Sequence, residues 1–254
     1  MTHWQHLDRE LDHWEKEQRQ ATCWWRNDDA MTPLGEESVI ATARRWRVPV
    51  AMAVIPCRME SSLVGSLNSE PLVSVLFHGL HHVSYSGPGE VPSEYPHSRG
   101  RAEMSKELDH GLALLSCFQR SLPVLVPPWD NVSAKAVEII AECGYRGVST
   151  CGWRETAEPA PGVIQNNVHA DPLEWSPVKF RGVEETLTAF IGHLAARREG
   201  RADSSEATGL VTHGHLHGAD VVGFLDEFLA RTCRHPAIRW LDAADVFGCR
   251  AAAS

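Results

Sequence analysis

The run Phe77-His78-Gly79-Leu80-His81-His82-Val83-Ser84-Tyr85 decides how this chain is read. It follows Val73 and Val75 in a short apolar segment, the pattern of a buried strand that ends where Gly79 lets the backbone turn. His78 and His82 are four residues apart, and a helical turn after the strand would put both imidazoles on one face. Two histidines sharing a divalent metal need that arrangement. Such a site also wants a third protein ligand and an open position for water. The adjacent acids Asp28 and Asp29 end another apolar, strand-like run and are the obvious donors. His81 is the rival to His82, because an i, i+3 pair can also chelate.

Outward from this run, strand and helix patterns alternate about seven times without a clear linker. Strands are expected at Thr22–Ala30, Pro49–Pro56, Val73–Phe77, Leu122–Val126, Gly147–Thr150, Val163–Val168, Gly209–Thr212 and Ile238–Leu241. Helices are expected at Glu36–Trp46, Arg58–Asn68, Arg101–Arg120, Ser133–Cys143, Val183–Arg198 and Ala219–Cys233. Ser133 is a cap and Gly144 a stop for the fourth of these. The rhythm predicts an α/β fold in one domain, a parallel sheet or barrel with about seven strands. Ahead of it, Trp4, Leu7, Leu11 and Trp14 predict an amphipathic helix within residues 1–21, packed on the outside of a unit running from residue 22 to 254.

A formal net charge of −9 argues against nucleic acid or an anionic membrane as the main partner. No apolar run reaches the ~18 residues of a membrane-spanning helix, and the polar N-terminus carries no signal-peptide pattern, so a cytoplasmic location is expected. Seven cysteines without a C-x-x-C pair are read as mostly buried, reduced thiols. The sequence leaves oligomeric state open.

Polar and ionisable residues recur where strands end: Asp28 and Asp29, His78 and His82, Trp129 with the tandem prolines before it, Asp171 and Glu174, and His213. In barrels of this kind, chemistry sits at that end. The ordered set R-N-D-D-A (26–30), F-H-G-L-H-H (77–82), V-P-P-W-D (126–130), D-P-L-E-W (171–175) and L-V-T-H (210–213) resembles the polysaccharide deacetylase superfamily, the NodB-homology fold of carbohydrate esterase family 4. The resemblance covers residues 22 to about 247 and implies a distorted (β/α) barrel.

It further implies that Asp29, His78 and His82 hold one divalent metal, zinc first, with cobalt, manganese or nickel as alternatives. Asp28 would be the general base and His213 the acid that protonates the leaving amine. Trp129 would line the groove, its N–H helping to hold the oxyanion. Asp171, Glu174 and Trp175 match a motif in which a carboxylate orients the acid histidine. Val126 stands where the family usually has an arginine partner of the base; Arg26, two residues before Asp28, is the candidate to supply that charge, and the sequence leaves open whether it does. The implied reaction is hydrolysis of an N-acetylated sugar or glycoconjugate by metal-activated water. A non-sugar cyclic or linear amide is the alternative substrate, and an inactive binding module the remaining one.

The chemistry stands without the family. An amide needs a strong nucleophile, a carboxylate to take its proton and a histidine opposite to give one back. Loop 84–100, with Glu94, His97 and Arg99, is read as a substrate cover. His215 and His217 can bind a second metal, reach substrate or do nothing. His3, His6, His13, His193 and His235 are read as solvated, and Trp24 and Trp25 as core.

Overall fold

A computed structural model describes residues 2–249, so residues 250–254 of the expected catalytic unit lie outside the described residues. The first helix, α1 (His3–Lys16), is held by a Thr2–Gln5 capping box and buries Leu7, Leu11 and Trp14. The strand β1 (Ala21–Ala30) follows, then α2 (Pro33–Trp46), β2 (Val50–Val54), α3 (Ser62–Asn68), β3 (Val73–Phe77), α4 (Arg101–Leu115), β4 (Ser121–Leu125), α5 (Ala134–Glu142), β5 (Gly147–Val148) and β6 (Ile164–Gln165). A hairpin of β7 (Leu173–Trp175) and β8 (Val178–Phe180) leads into α6 (Val183–Arg198), against which α1 packs. The chain closes with β9 (Thr208–Thr212), α7 (Ala219–Thr232), β10 (Ile238–Trp240) and α8 (Ala243–Val246).

Eight strands form one sheet, in the order β10-β1-β2-β3-β4-β5-β6 with β9 also paired to β1. Every pairing in it is parallel. The sheet closes through single bridges, Cys151 to Val168 and Ala170 to Leu210, which carry it round from β5 to β9. The result is a distorted (β/α) barrel, within the parallel sheet or barrel that the rhythm predicts and of the form that the resemblance implies.

β2, β3 and β9 are buried on both faces, which is why they read as unbroken apolar runs rather than alternating ones. Trp24, Ala51, Ala53, Leu76, Val124 and Val211 pack together without any residue of α1–α7, so they fill the barrel's interior. Phe247 sits edge-on against Trp24 at 5.5 Å between ring centroids. Alternate residues, such as Trp25, Met52, Val75 and Phe77, pack outward under the helices.

Several expectations need correction. The helix expected from Arg58 begins only at Ser62, because Arg58 and Met59 are spent in a turn whose amides both bond Ile55 O. The strand expected over Val163–Val168 is regular only at Ile164–Gln165, with single bridges at Val163 and Val168. His193 is fully buried instead of solvated, stacked on His169 at 3.4 Å and facing Glu206. Of the cysteines only Cys23 is buried, while Cys57, Cys117, Cys151 and Cys233 are exposed, and all seven are free thiols. No described helix is long and apolar enough to cross a membrane.

Candidate metal centre and active-site cavity

A parallel sheet delivers all its C-terminal strand ends to one rim, and there a cavity of about 350 Å³ opens. Asp28, Asp29, His78, His82, Trp129, Asp130, Asp171, Trp175 and His213 all line it. Six non-glycine residues among those described have positive φ, and four of them, Asp29 (60°), His82 (53°), Trp129 (56°) and Asp130 (52°), are in this lining. Each such residue costs about 1–2 kcal/mol relative to ordinary backbone, and strain of this kind gathers where side chains must be aimed.

Asp29 Oδ1 lies 3.3 Å from His78 Nε2 and 3.3 Å from His82 Nε2. Ligands about 2.0–2.1 Å from one tetrahedral metal are about 3.3 Å apart, so both carboxylate–imidazole edges match such an ion, and the three ligand atoms all lie within 4.8 Å of one another. Imidazoles diverging from one ion also keep their ring centres about 5 Å apart; here they are 5.2 Å apart at 60°. The His78 Nδ1–H donates to Val126 O at 2.9 Å, which leaves Nε2 as the ring atom facing the carboxylate. In metal-free protein a proton on Nε2 bridges this contact and raises the His78 pKa against its burial; a divalent metal would take that proton's place. Burial opposes ionisation of Asp29, but the His78 hydrogen bond and the fields of His78, His82 and His213 hold it well below the usual carboxylate range. These donors fit a divalent metal.

A second group, His169, His193 and Glu206, has similar atom spacings but does not fit one. Its rings are stacked at 3.4 Å and 13°, so they do not diverge from a point. The Gly209 N–H donates to His169 Nδ1, which places the His169 proton on Nε2, the atom facing Glu206.

Beside the centre, Arg26 grips Asp28 with both arms, Nε to Oδ1 at 2.8 Å and a terminal nitrogen to Oδ2 at 2.7 Å. The same guanidinium reaches Asp130 Oδ1 at 2.9 Å and Ser149 Oγ at 2.8 Å. Burial works against its charge, but Asp28 and Asp130 outweigh burial and raise its pKa. His213, in the same lining, is 8 % exposed, with its Nδ1 buried and unpartnered.

The expected carboxylate support of His213 is indirect. Asp171 accepts from Leu173 N at 2.8 Å and from the Trp175 indole N–H at 2.9 Å, and that indole stands edge-on to His213 at 4.6 Å. Trp129 packs against His82 at 4.5 Å, and both tryptophans keep nearly half their surface open to the mouth (41 % and 46 %).

The remaining expected site residues lie elsewhere. Glu174 pairs with Lys179 on the hairpin, and His97 is exposed outside the cavity. Glu94 and Arg99 are buried behind it rather than covering it. His215 and His217 sit in the turn after His213, with His217 against Ser38. Asp130, Cys151 and Val211 also line the cavity but are not singled out by the sequence. Asp130 was legible as the last residue of V-P-P-W-D, whereas nothing around Cys151 marks it.

No family model and no curated protein matches the chain by sequence. Solved structures do match by fold. A peptidoglycan N-acetylglucosamine deacetylase in complex with an N-oxidanyl-benzamide superposes with a TM-score of 0.60 at 11% identity, covering 91% of this chain and 89% of that one. A family 4 acetyl xylan esterase from Clostridium thermocellum, in complex with a cobalt ion, gives 0.56 at 13% identity over 90% and 91%. A family 4 carbohydrate esterase from Streptomyces lividans, in complex with acetate, gives 0.54 at 12% identity over 86% and 90%. The fold is that of the family 4 carbohydrate esterases and polysaccharide deacetylases.

Proposed function

We propose that the protein is a metal-dependent hydrolase of carbon–nitrogen amide bonds, acting as an N-deacetylase on an N-acetylated sugar or glycoconjugate. The observation that carries this reading is one cavity lined by the Asp29–His78–His82 centre, the arginine-clamped Asp28 and His213. The chemistry supplied by a bound divalent metal, zinc or cobalt foremost, is acidification of water to a pKa near 7 and polarisation of the acyl oxygen. Asp28 takes the proton from the attacking water. With both oxygens gripped by Arg26, it holds one orientation and retains lone pairs for that transfer. His213 protonates the leaving nitrogen, and the indole of Trp175 keeps its ring in place. The open faces of Trp129 and Trp175 give a substrate ring an apolar surface on which to lie. Those two indoles suit a flat cyclic amide equally well, which keeps the non-sugar amide as the second reading. Seven free thiols, four of them exposed, favour a reducing compartment such as the cytoplasm.

The test is acetate or amine release from a panel of N-acetyl sugars and cyclic amides, with protein reloaded with zinc or cobalt. Turnover is expected in one class. Asp28→Asn should lower kcat by at least ~10²-fold at unchanged metal content. No release from any substrate, or an Asn variant as fast as wild type, would sink the hydrolase.

A further inference from the structure

The turn that carries His82 is built around a side chain twelve residues further along the chain. Gly79 and His82 at its two ends are left-handed, at φ 68° and 53°. The amides of Leu80 and His81 donate to Glu94 Oε1 at 3.1 and 2.9 Å, and that of His82 donates to Glu94 Oε2 at 3.1 Å. Three successive N–H groups closing on one carboxyl group make a nest of backbone donors.

Glu94 is fully buried and absent from the cavity lining. Gly79 is required there for space as well as for its φ, since a Cβ would run into the Glu94 carboxylate and come within 2.8 Å of Pro128 Cγ. Glu94 is fixed in turn. Arg99 donates to its carbonyl at 3.0 Å, pairs with Glu107, and lies 3.7 Å over the ring of Tyr85. Lys135 donates to the Arg99 carbonyl at 2.6 Å.

Resting on the metal-centre reading, we propose that Glu94 is a positioning residue for the metal. Its carboxylate shapes the 79–82 turn so that His82 Nε2 arrives 3.3 Å from Asp29 Oδ1. Loop 84–100 then holds a ligand in place instead of covering substrate. A glutamine cannot reproduce the nest, because its NH₂ group is a donor facing donors and at least one amide loses its acceptor. An aspartate keeps the charge but falls one methylene short.

The experiment measures zinc affinity by competition with a chromophoric chelator, together with the visible spectrum of the cobalt-loaded protein and the thermal melt. It compares wild type, Glu94→Gln and Glu94→Asp. Glu94→Gln should bind zinc 10- to 100-fold more weakly, the scale at which outer-shell partners act, and its cobalt spectrum should change. Leu11→Ala, in α1 and far from the centre, should lower the melting temperature without moving either metal readout. That separates positioning from general stability.

Zinc binding by Glu94→Gln within twofold of wild type would overturn the proposal. If the Gln variant shows no cooperative melt, Glu94→Asp reads the same quantity, and wild-type affinity there overturns it equally. If wild type itself binds no zinc or cobalt, the metal reading fails and takes the proposal with it. If wild type binds and both variants match it, only the role of Glu94 fails.

Discussion

Asn27 has no idle polar atom. Its Oδ1 accepts from Thr212 Oγ1 at 2.8 Å and from Gly214 N at 2.9 Å, and its Nδ2 donates to Glu36 Oε2 at 2.5 Å. One side chain thus joins the strand end that bears Asp28 to the one that bears His213. Glu36 beneath it is fully buried, and burial first, then the charges of Asp29 and Asp28, push its pKa up to about 8. The folded protein therefore holds a proton that the unfolded chain releases near the ordinary glutamate value. The stabilisation is complete below about pH 4.5 and is lost as pH rises through about 8. In metal-free protein, Glu36→Gln should gain on wild type by roughly 2–5 kcal/mol between pH 5 and 8.5. Urea unfolding of both proteins at the two pH values measures it, and a constant difference would show that Glu36 is ionised throughout. At this scale the sequence was legible where chemistry shows in residue type: Asp28, Asp29, His78, His82 and His213 all line one cavity. Glu94 was not, because a carboxylate that binds backbone amides looks the same in sequence as one that meets substrate. Nor were the left-handed angles of Asp29 and Trp129, which tertiary contacts impose on residues with no preference for them.

Elements were legible where burial is uniform. β1, β2 and β3 are covered on both faces, so their apolar runs are continuous and their ends fall close to the pattern. The cap of α5 was readable as well: Ser133 Oγ accepts from Ala136 N, and Gly144 ends the helix at φ 84°. Legibility failed for the short pieces. β5 and β6 pair over two residues each, and the barrel closes on single bridges, too little sequence for a period to appear. The β7–β8 hairpin carries polar residues on both strands because it stands out from the barrel and holds Trp175 over His213. His193 was misread because its helix, α6, is buried on an unusually broad face that takes in His193 and Arg197. A buried polar residue on a helix is invisible until its partner, here Glu206, is known to lie opposite.

The whole molecule depends on closing a sheet whose last strands barely pair, and the His169–His193–Glu206 cluster sits at that seam. It joins the segment after β6, helix α6 and the entry to β9. Burial drives the pKa of His169 down to about 4, against the pull of Glu206, so the folded protein refuses a proton that the unfolded chain accepts near pH 6.5. Stability from this source is full above about pH 6.5 and is lost as pH falls towards 4. The Glu36 slope runs the other way over part of this range, so a variant difference is the proper reading. The advantage of wild type over His169→Gln should shrink by about 2–3 kcal/mol from pH 7 to pH 4.5. An unchanged advantage would mean that folding does not lower the pKa of His169. These slopes bear on the scaffold, whereas the function rests on the rim above it. The most direct test there is metal content, by elemental analysis after dialysis of the untagged protein against zinc or cobalt, in wild type, His78→Ala and His82→Ala. About one ion per chain in wild type and a large loss in both variants is the expected result. An empty wild type, or variants that keep their ion, would contradict the assignment of Asp29, His78 and His82 as the metal centre.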